Sequence, residues 1–207
     1  MFQFLFIVVL SLIPFRASAI EVGEVVSAIE AKYSDVHGMQ GQFVQVVKSD
    51  FTGTEKTTGK VTFSRPTKMR WEFHGESAKQ YITDGRVLWL YSPEEKTVYQ
   101  YEDVSAAVGG AGNILSSLGN LDEDYLVSLV PGDLIGVRLT PRKEQRMKSL
   151  YLGFDKAYLL KVVRFDDALG STTELKLSDL VLNPKTGADY FTFTPPDGVE
   201  VISVGGM

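Results

Sequence analysis

The amino-acid sequence predicts a mainly β domain with helices (α+β), built around a single, highly curved antiparallel sheet. Three observations lead to this prediction. Apolar and polar residues alternate with a period of two, as in residues 59–65 and 69–74. Turn signals such as Asp84-Gly85 separate the alternating runs. A helical spacing of apolar residues is clear at 21–33, and a length of 207 residues fits one domain.

Residues 1–19 are typical of an export signal. Residues 4–13 are almost wholly apolar, and residues 17–19 are the small residues that a cleavage site requires. The apolar run is too short to predict a transmembrane helix. Cleavage after Ala19 would leave residues 20–207 as a single exported domain, and an uncleaved membrane anchor is the alternative.

Residues 21–33 predict one amphipathic helix. The apolar positions of the helical series are Val22, Val25, Val26, Ile29 and Tyr33. Glutamates come early in the segment, where the helix dipole favours negative charge.

After Gly38 the pattern changes to that of antiparallel strands. The candidate strands before residue 104 are 41–49, 57–65, 68–75, 79–84, 86–91 and 96–102. Asp84-Gly85 predicts a hairpin, because glycine accepts the positive φ that a tight turn demands. Residues 92–95 predict the next turn.

Residues 104–129 interrupt the alternation. A glycine cluster precedes a set of apolar residues, which predicts a mobile segment leading into one or two short helices. The glycines are Gly109, Gly110 and Gly112, and the apolar residues are Ile114, Leu115, Leu118 and Leu121. Further strands are predicted at 133–140, 147–154, 158–166, 172–182 and 190–194.

The composition excludes several classes of function. The chain has no cysteine, which rules out disulfides, thiol nucleophiles and cysteine-based metal sites. Two histidines, His37 and His74, are too few for a polyhistidine metal centre. A formal net charge of -5 disfavours nucleic acid as a partner. We therefore expect no metal, no cofactor and no nucleic acid.

A search for catalytic motifs is negative. No serine in a G-x-S-x-G elbow accompanies either histidine. Residues 53–60 depart from the spacing of a phosphate loop. Counting does not exclude the paired carboxylates of a hydrolase, but nothing in the spacing predicts them. We expect no catalytic residue and no enzymatic activity, and a hydrolase is the alternative from that class.

The aromatic residues suggest an apolar pocket. They cluster in the first six strands as Phe43, Phe63, Trp71, Phe73, Tyr81, Trp89, Tyr91, Tyr99 and Tyr101. A filled core is the plain interpretation. However, Arg65 ends the face that carries Val61 and Phe63, and a charge there must be paired or lie at the rim of a cavity. A curved sheet beneath one long helix and a glycine-rich segment favours a pocket with a movable cover.

An ordered series of motifs resembles one known family. In chain order the motifs are Phe43-x-Gln45, Gly59, Arg65-Pro66, Arg70-Trp71-Glu72, Asp84-Gly85-x-x-Leu88-Trp89-x-Tyr91-x-Pro93 and Phe191-Thr192-Phe193-Thr194-Pro195-Pro196-x-Gly198. Together they are similar to the LolA family, the periplasmic carriers of outer-membrane lipoproteins. The resemblance implies an incomplete antiparallel β-barrel whose concave, hydrophobic face is covered by helices.

The resemblance also implies partners and residue roles. Acylated lipoproteins would pass from an inner-membrane ABC-type transporter to this carrier, expected to be monomeric, and then to an outer-membrane acceptor. Arg65 takes the position of the family arginine that holds the covering helices shut. The acyl-chain cavity would be lined by Val61, Phe63, Met69, Trp71, Phe73, Tyr81 and Trp89. The lid would present Ile114, Leu115 and Leu118, hinged at Gly109, Gly110 and Gly112.

A related function shares all of these features. A periplasmic carrier or sensor of another lipid, such as a phospholipid or a glycolipid, would need the same sheet, cover and apolar pocket. The two hypotheses differ in their cargo, because only the lipoprotein carrier requires an acylated protein.

Overall fold

The computed structural model describes residues 21–76, 78–102, 104, 118–142, 149–166 and 170–205. The expected export signal and the expected lid residues Ile114 and Leu115, with the hinge glycines 109, 110 and 112, lie outside these residues. Within them, no helix is long and apolar enough to cross a bilayer. The elements are α1 (Val22–Tyr33), β1 (Gly38–Ser49), β2 (Gly53–Ser64), β3 (Lys68–His74), β4 (Gln80–Thr83), β5 (Leu88–Ser92), β6 (Thr97–Tyr101), α2 (Leu121–Asp124), β7 (Tyr125–Val130), β8 (Ile135–Pro141), β9 (Leu150–Phe154), β10 (Leu160–Asp166), β11 (Thr172–Leu182) and β12 (Glu200–Val204).

The described strands form one mostly antiparallel sheet of twelve strands. Its order is β12-β6-β5-β4-β3-β2-β1-β11-β10-β9-β8-β7. Strand β1 joins two meanders, because it pairs with β2 along one edge and with β11 along the other. Among these strands, only the contact between β6 and β12 is parallel. The long β1 strand therefore brings the two halves of the chain together at the middle of the sheet.

The two faces of the sheet bury separate sets of residues. We call the face that carries Val61, Trp71 and Val163 the inner face, and the opposite one the outer face. The main core lies on the inner face, where side chains from both meanders pack together. Directly opposed residues of an antiparallel pair point to the same side. The pairs Val61–Trp71 and Val163–Leu175 therefore build this face strand by strand.

Helix α1 covers the main core. Val25, Val26, Ile29 and Tyr33 are buried, as their helical spacing predicts, whereas Val22 at the start of the helix is exposed. The Tyr33 hydroxyl accepts a hydrogen bond from the backbone N–H of Leu160 at 3.0 Å. Burial raises the pKa of Tyr33 to about 12, so the hydroxyl stays neutral. Tyr33 thus anchors the end of α1 to β10.

The outer face has its own small core beneath the C-terminal segment. Ile82, Val98 and Phe191 are buried there, apart from the main core. Arg70 holds the segment in place, because its guanidinium donates to the carbonyl oxygen of Tyr190 at 3.2 Å and lies 5.4 Å from the centre of that ring. A half-buried arginine with several acceptors is well suited to this role.

Most of the strand predictions are confirmed, including the hairpin at Asp84-Gly85. Gly85 has a φ of 97°, and the Asp84 carboxylate accepts backbone hydrogen bonds from Arg86 and Val87. Two local predictions are wrong, because residues 125–129 lie in strand β7 rather than in a helix, and residues 190–194 form no strand. Strand β12, at residues 200–204, was not predicted.

These differences are explained by which strands pair with each other. Strand β7 is set by its antiparallel register with β8, and β12 by its parallel register with β6. In the segment before β12, the N–H groups of Tyr190 and Thr192 bond to local carbonyls three residues back. These turn hydrogen bonds take the place of the inter-strand hydrogen bonds that a strand would make. The side chains of Phe191 and Phe193 lie on the outer face of the sheet.

Acid is expected to destabilise this fold below about pH 4. Desolvation acts to raise the pKa of Asp155, but hydrogen bonds from the N–H groups of Leu159 and Ala157, with Lys161 nearby, hold it below the ordinary value of 3.8. The pKa values of Asp84 and Glu174 are lowered in the same sense. A carboxyl with a lowered pKa in the folded state stabilises above its unfolded value, and that stability is lost as pH falls through the folded value.

Thermal unfolding followed by circular dichroism between pH 7 and pH 2 measures this effect. The melting temperature should fall steeply only below about pH 4, where these carboxyls begin to take up protons. Asp155→Asn keeps an acceptor oxygen but cannot ionise, so it should lose less stability on acidification than the parent protein does. If both proteins lose the same stability on acidification, Asp155 does not contribute to the acid sensitivity of the fold.

Candidate functional site

An apolar cavity lies at the middle of the inner face, where the two meanders meet. It is lined by Met39, Gly41, Val61, Phe63, Trp71, Leu160, Val163, Leu175, Leu177 and Leu180. The cavity volume is about 20 Å³, which is room for about one water molecule. The cavity is therefore too small for a ligand larger than water, and binding of such a ligand requires the cover or the lining to move.

An aromatic cluster forms one wall of the cavity. The ring of Trp71 lies 5.0 Å from that of Phe43, 5.9 Å from that of Phe63 and 5.9 Å from that of Phe73. Tyr81 extends the cluster at 5.7 Å from Phe73. These centroid distances fall in the range where aromatic pairs attract each other beyond simple burial. The wall is broad and apolar.

Gly59 makes this close packing possible. It lies on β2 opposite Phe43 on one side and Phe73 on the other. A Cβ at this position would lie 2.7 Å from the Phe43 ring and 2.1 Å from the carbonyl oxygen of Glu72. The ring of Phe43 thus occupies the space that any other residue at position 59 would fill.

Arg65 connects the sheet to its cover. One of its Nη atoms donates a hydrogen bond to the carbonyl oxygen of Tyr33, the last residue of α1, at 3.3 Å. The guanidinium also lies close to Gly119, where an added Cβ would be 3.2 Å from Nη2. A hydrogen bond from a charged donor contributes about 1.5–3 kcal/mol when partly shielded from water. Arg65 therefore touches both the end of α1 and the turn that follows Leu118.

The structure brings together most of the residues predicted for the cavity. Val61, Phe63 and Trp71 line it directly. Met69 and Phe73 are buried beside it on the inner face, and Tyr81 packs at the end of the aromatic cluster. Leu118, the one predicted lid residue among the described ones, is fully buried in the main core.

Trp89 is an exception, and its predicted place in the cavity is wrong. It pairs with Ile82 on β4, so it points to the outer face. Its ring lies 6.3 Å from that of Phe193, in the small core beneath the C-terminal segment. Residues 87–91 are apolar on both faces, so alternation along β5 does not show which side chains point inward.

The sequence interpretation missed the aliphatic half of the cavity. Strands β10 and β11 supply Val163, Leu175 and Leu177 to the lining, and β1 supplies Met39 and Gly41. Both of the later strands were predicted, and the alternation of Leu175 and Leu177 is a signal that could have identified their inward face. The pairing of β11 with β1, which joins the two ends of the chain, was not visible in the local pattern.

The described lining suits hydrocarbon rather than chemistry on a polar substrate. All ten lining residues that the structure describes are apolar or glycine, and no carboxylate or histidine is among them. In the described part of the chain there is also no cluster of three or more potential metal ligands. Transfer of an alkyl chain from water into such a site is favourable by about 0.8 kcal/mol per CH₂.

Comparison with known proteins points to one family. Residues 34–194 match the family described as "Outer membrane lipoprotein carrier protein LolA". An outer-membrane lipoprotein carrier protein of Halorhodospira halophila is 32% identical over 176 residues, which cover 84% of this chain and 83% of the relative. A protein of the same description from Nitrosomonas europaea is 28% identical over 214 residues, covering 98% and 99% of the two chains.

A solved structure adds a likeness of fold. An uncharacterized conserved protein from Thermus thermophilus matches with a TM-score of 0.52 at 13% identity, over 88% of this chain and 98% of that one. At this identity the likeness concerns the fold alone.

Proposed function

Since this chain belongs to the LolA family of outer-membrane lipoprotein carrier proteins, we propose that it carries acylated lipoproteins across the periplasm. It accepts them from an inner-membrane ABC-type transporter and delivers them to an outer-membrane acceptor. Members of the family are periplasmic and act in transport rather than catalysis. Residues 1–19 serve as the cleaved export signal that brings the domain of residues 20–207 to this compartment.

The observation that supports the proposal most strongly is the apolar cavity on the inner face, together with the hydrogen bond by which Arg65 joins the sheet to α1. Lipoprotein acyl chains would lie against the inner face of the sheet, between the aromatic cluster and the leucines of β11. Because the cavity has room for about one water molecule, loading must move its cover or its lining, and α1, which Arg65 joins to the sheet, is the part of the cover that moves in this proposal. The contacts that close the site are therefore in competition with the cargo.

This competition allows a carrier to release what it binds. Long acyl chains buried in a rigid, open pocket would gain about 0.8 kcal/mol per CH₂ and leave very slowly. The loss of core contacts and of the Arg65 hydrogen bond on opening subtracts from that gain. Affinity is thereby kept low enough for transfer to an acceptor, in the same way that any unfavourable conformational step weakens apparent binding.

Native mass spectrometry tests the proposed function. The mature protein is incubated with the purified transporter in membranes that contain a lipoprotein, and the soluble fraction is analysed. We expect a one-to-one complex with the acylated lipoprotein and none with an unacylated version of the same protein. In a separate sample, obtained by export of the full chain, the intact mass reports whether residues 1–19 have been removed.

Two outcomes would contradict the proposal. Binding of the unacylated lipoprotein would show that the protein part, rather than the acyl chains, is recognised. No complex, together with a mass increment that matches a phospholipid or glycolipid, would make this chain a carrier of another lipid.

A further inference from the structure

The cavity wall contains one buried polar atom without a partner. Trp71 is 8% exposed, and its indole nitrogen Nε1 is completely shielded from solvent. No hydrogen-bond acceptor among the described residues reaches it. The rings that pack against the Trp71 indole belong to Phe43, Phe63 and Phe73, whose side chains carry no oxygen or nitrogen.

A buried hydrogen-bond donor without an acceptor lowers the stability of a protein core. A buried donor without an acceptor typically costs about 1–3 kcal/mol, and buried tryptophan N–H groups usually find a partner. Phenylalanine at this position would keep the aromatic packing and avoid the cost. The presence of tryptophan in the wall of an apolar cavity therefore suggests that the acceptor arrives with the ligand.

Resting on the proposed function, we infer that the Trp71 indole is the polar subsite of the cavity and donates a hydrogen bond to a carbonyl oxygen of the acyl ligand. The ester and amide links that attach acyl chains each provide such an oxygen at the head of the hydrocarbon. The other nine described residues that line the cavity have no N–H or O–H group in their side chains. A carbonyl that enters this site has Trp71 as its side-chain donor among the described lining residues.

The subsite makes the cavity selective for acyl over alkyl chains. Hydrocarbon burial alone does not distinguish an ester-linked chain from an ether-linked chain of equal length. A neutral hydrogen bond in a shielded site is worth enough to change affinity by about fivefold to tenfold. Trp71 thereby also fixes how deep the head of each chain lies, close to the aromatic cluster.

Binding of two matched probes to the mature protein tests the inference. The probes are dioctanoylglycerol, which has two ester carbonyls, and the dioctyl ether of glycerol, which has none. We expect the parent protein to bind the ester about fivefold to tenfold more tightly, and Trp71→Phe to bind both equally. Trp89→Phe, at the other tryptophan of the chain on the outer face, is the matched control and should keep the preference.

Nuclear magnetic resonance of the parent protein gives a second readout that does not depend on the stability of a variant. The chain has two tryptophans, and the indole signal missing in Trp89→Phe identifies the signal of Trp71 by elimination. The Trp71 indole proton should move downfield with the ester probe and not with the ether.

The possible failures are distinguishable. Equal affinity of the parent protein for the two probes, or the same indole shift with both, would overturn the Trp71 subsite and leave the apolar cavity standing. Failure of the parent protein to bind either probe would overturn the subsite, while the proposed carrier function is judged separately by the complex with acylated lipoprotein in native mass spectrometry.

Discussion

An Arg65→Leu variant is expected to fold and to take up acylated lipoprotein, but to fail in passing it on to the acceptor. In the proposed mechanism Arg65 holds the closed state, because its guanidinium donates a hydrogen bond to the carbonyl oxygen of Tyr33 at the end of α1. Without this hydrogen bond, closing competes less strongly with the cargo. A contribution of about 1.5–3 kcal/mol to closing corresponds to cargo binding that is about tenfold to hundredfold tighter. Tighter binding retains the cargo at the step where it should leave.

A two-component transfer assay measures this effect, with loaded carrier on one side and acceptor on the other. Arg138→Leu is the matched control, because Arg138 is an exposed arginine on β8 and its loss should leave transfer unchanged. Arg65→Lys keeps the charge but loses the planar fork, so it should fall between the parent and the leucine variant. Normal transfer by Arg65→Leu would refute the role of Arg65 as a latch.

Replacement of Gly59 by alanine is expected to destabilise the fold strongly. The new Cβ would lie 2.1 Å from the carbonyl oxygen of Glu72, a backbone atom that cannot rotate away, and 2.7 Å from Phe43. Relief requires that β2 and β3 separate or that the aromatic cluster repack. Overpacking of this kind costs about 3 kcal/mol or more, which corresponds to a fall of about 6–12 °C in melting temperature.

Gly132→Ala is the control for this substitution. Gly132 has open space around the position of a Cβ and no positive φ, so its replacement should change stability by less than about 0.5 kcal/mol. Thermal unfolding of the two variants beside the parent protein gives the comparison. If Gly59→Ala has the same melting temperature as the parent protein, the sheet accommodates the added Cβ without loss of stability, and the prediction is wrong.

Local patterns predicted much of the fold because they act over short distances. The alternation in β2 and β3 was sufficient to place Val61, Trp71 and Phe73 on one face, and Asp84-Gly85 was sufficient for the hairpin. The pattern failed in β5, where both faces are apolar, and Trp89 was assigned to the wrong side. It also failed for β12, whose parallel partner β6 lies far away in the chain.

The sequence by itself determined the class of fold, the first helix, most of the strands and the family. These follow from the spacing of apolar residues, from turn chemistry and from an ordered set of motifs. Only the tertiary structure decided that β1 pairs with β11, that the leucines of β11 complete the cavity, and that Arg65 reaches Tyr33. Period-two alternation states which face a residue occupies but not which strand it meets, because strand pairing and register are selected by the packing of the whole sheet.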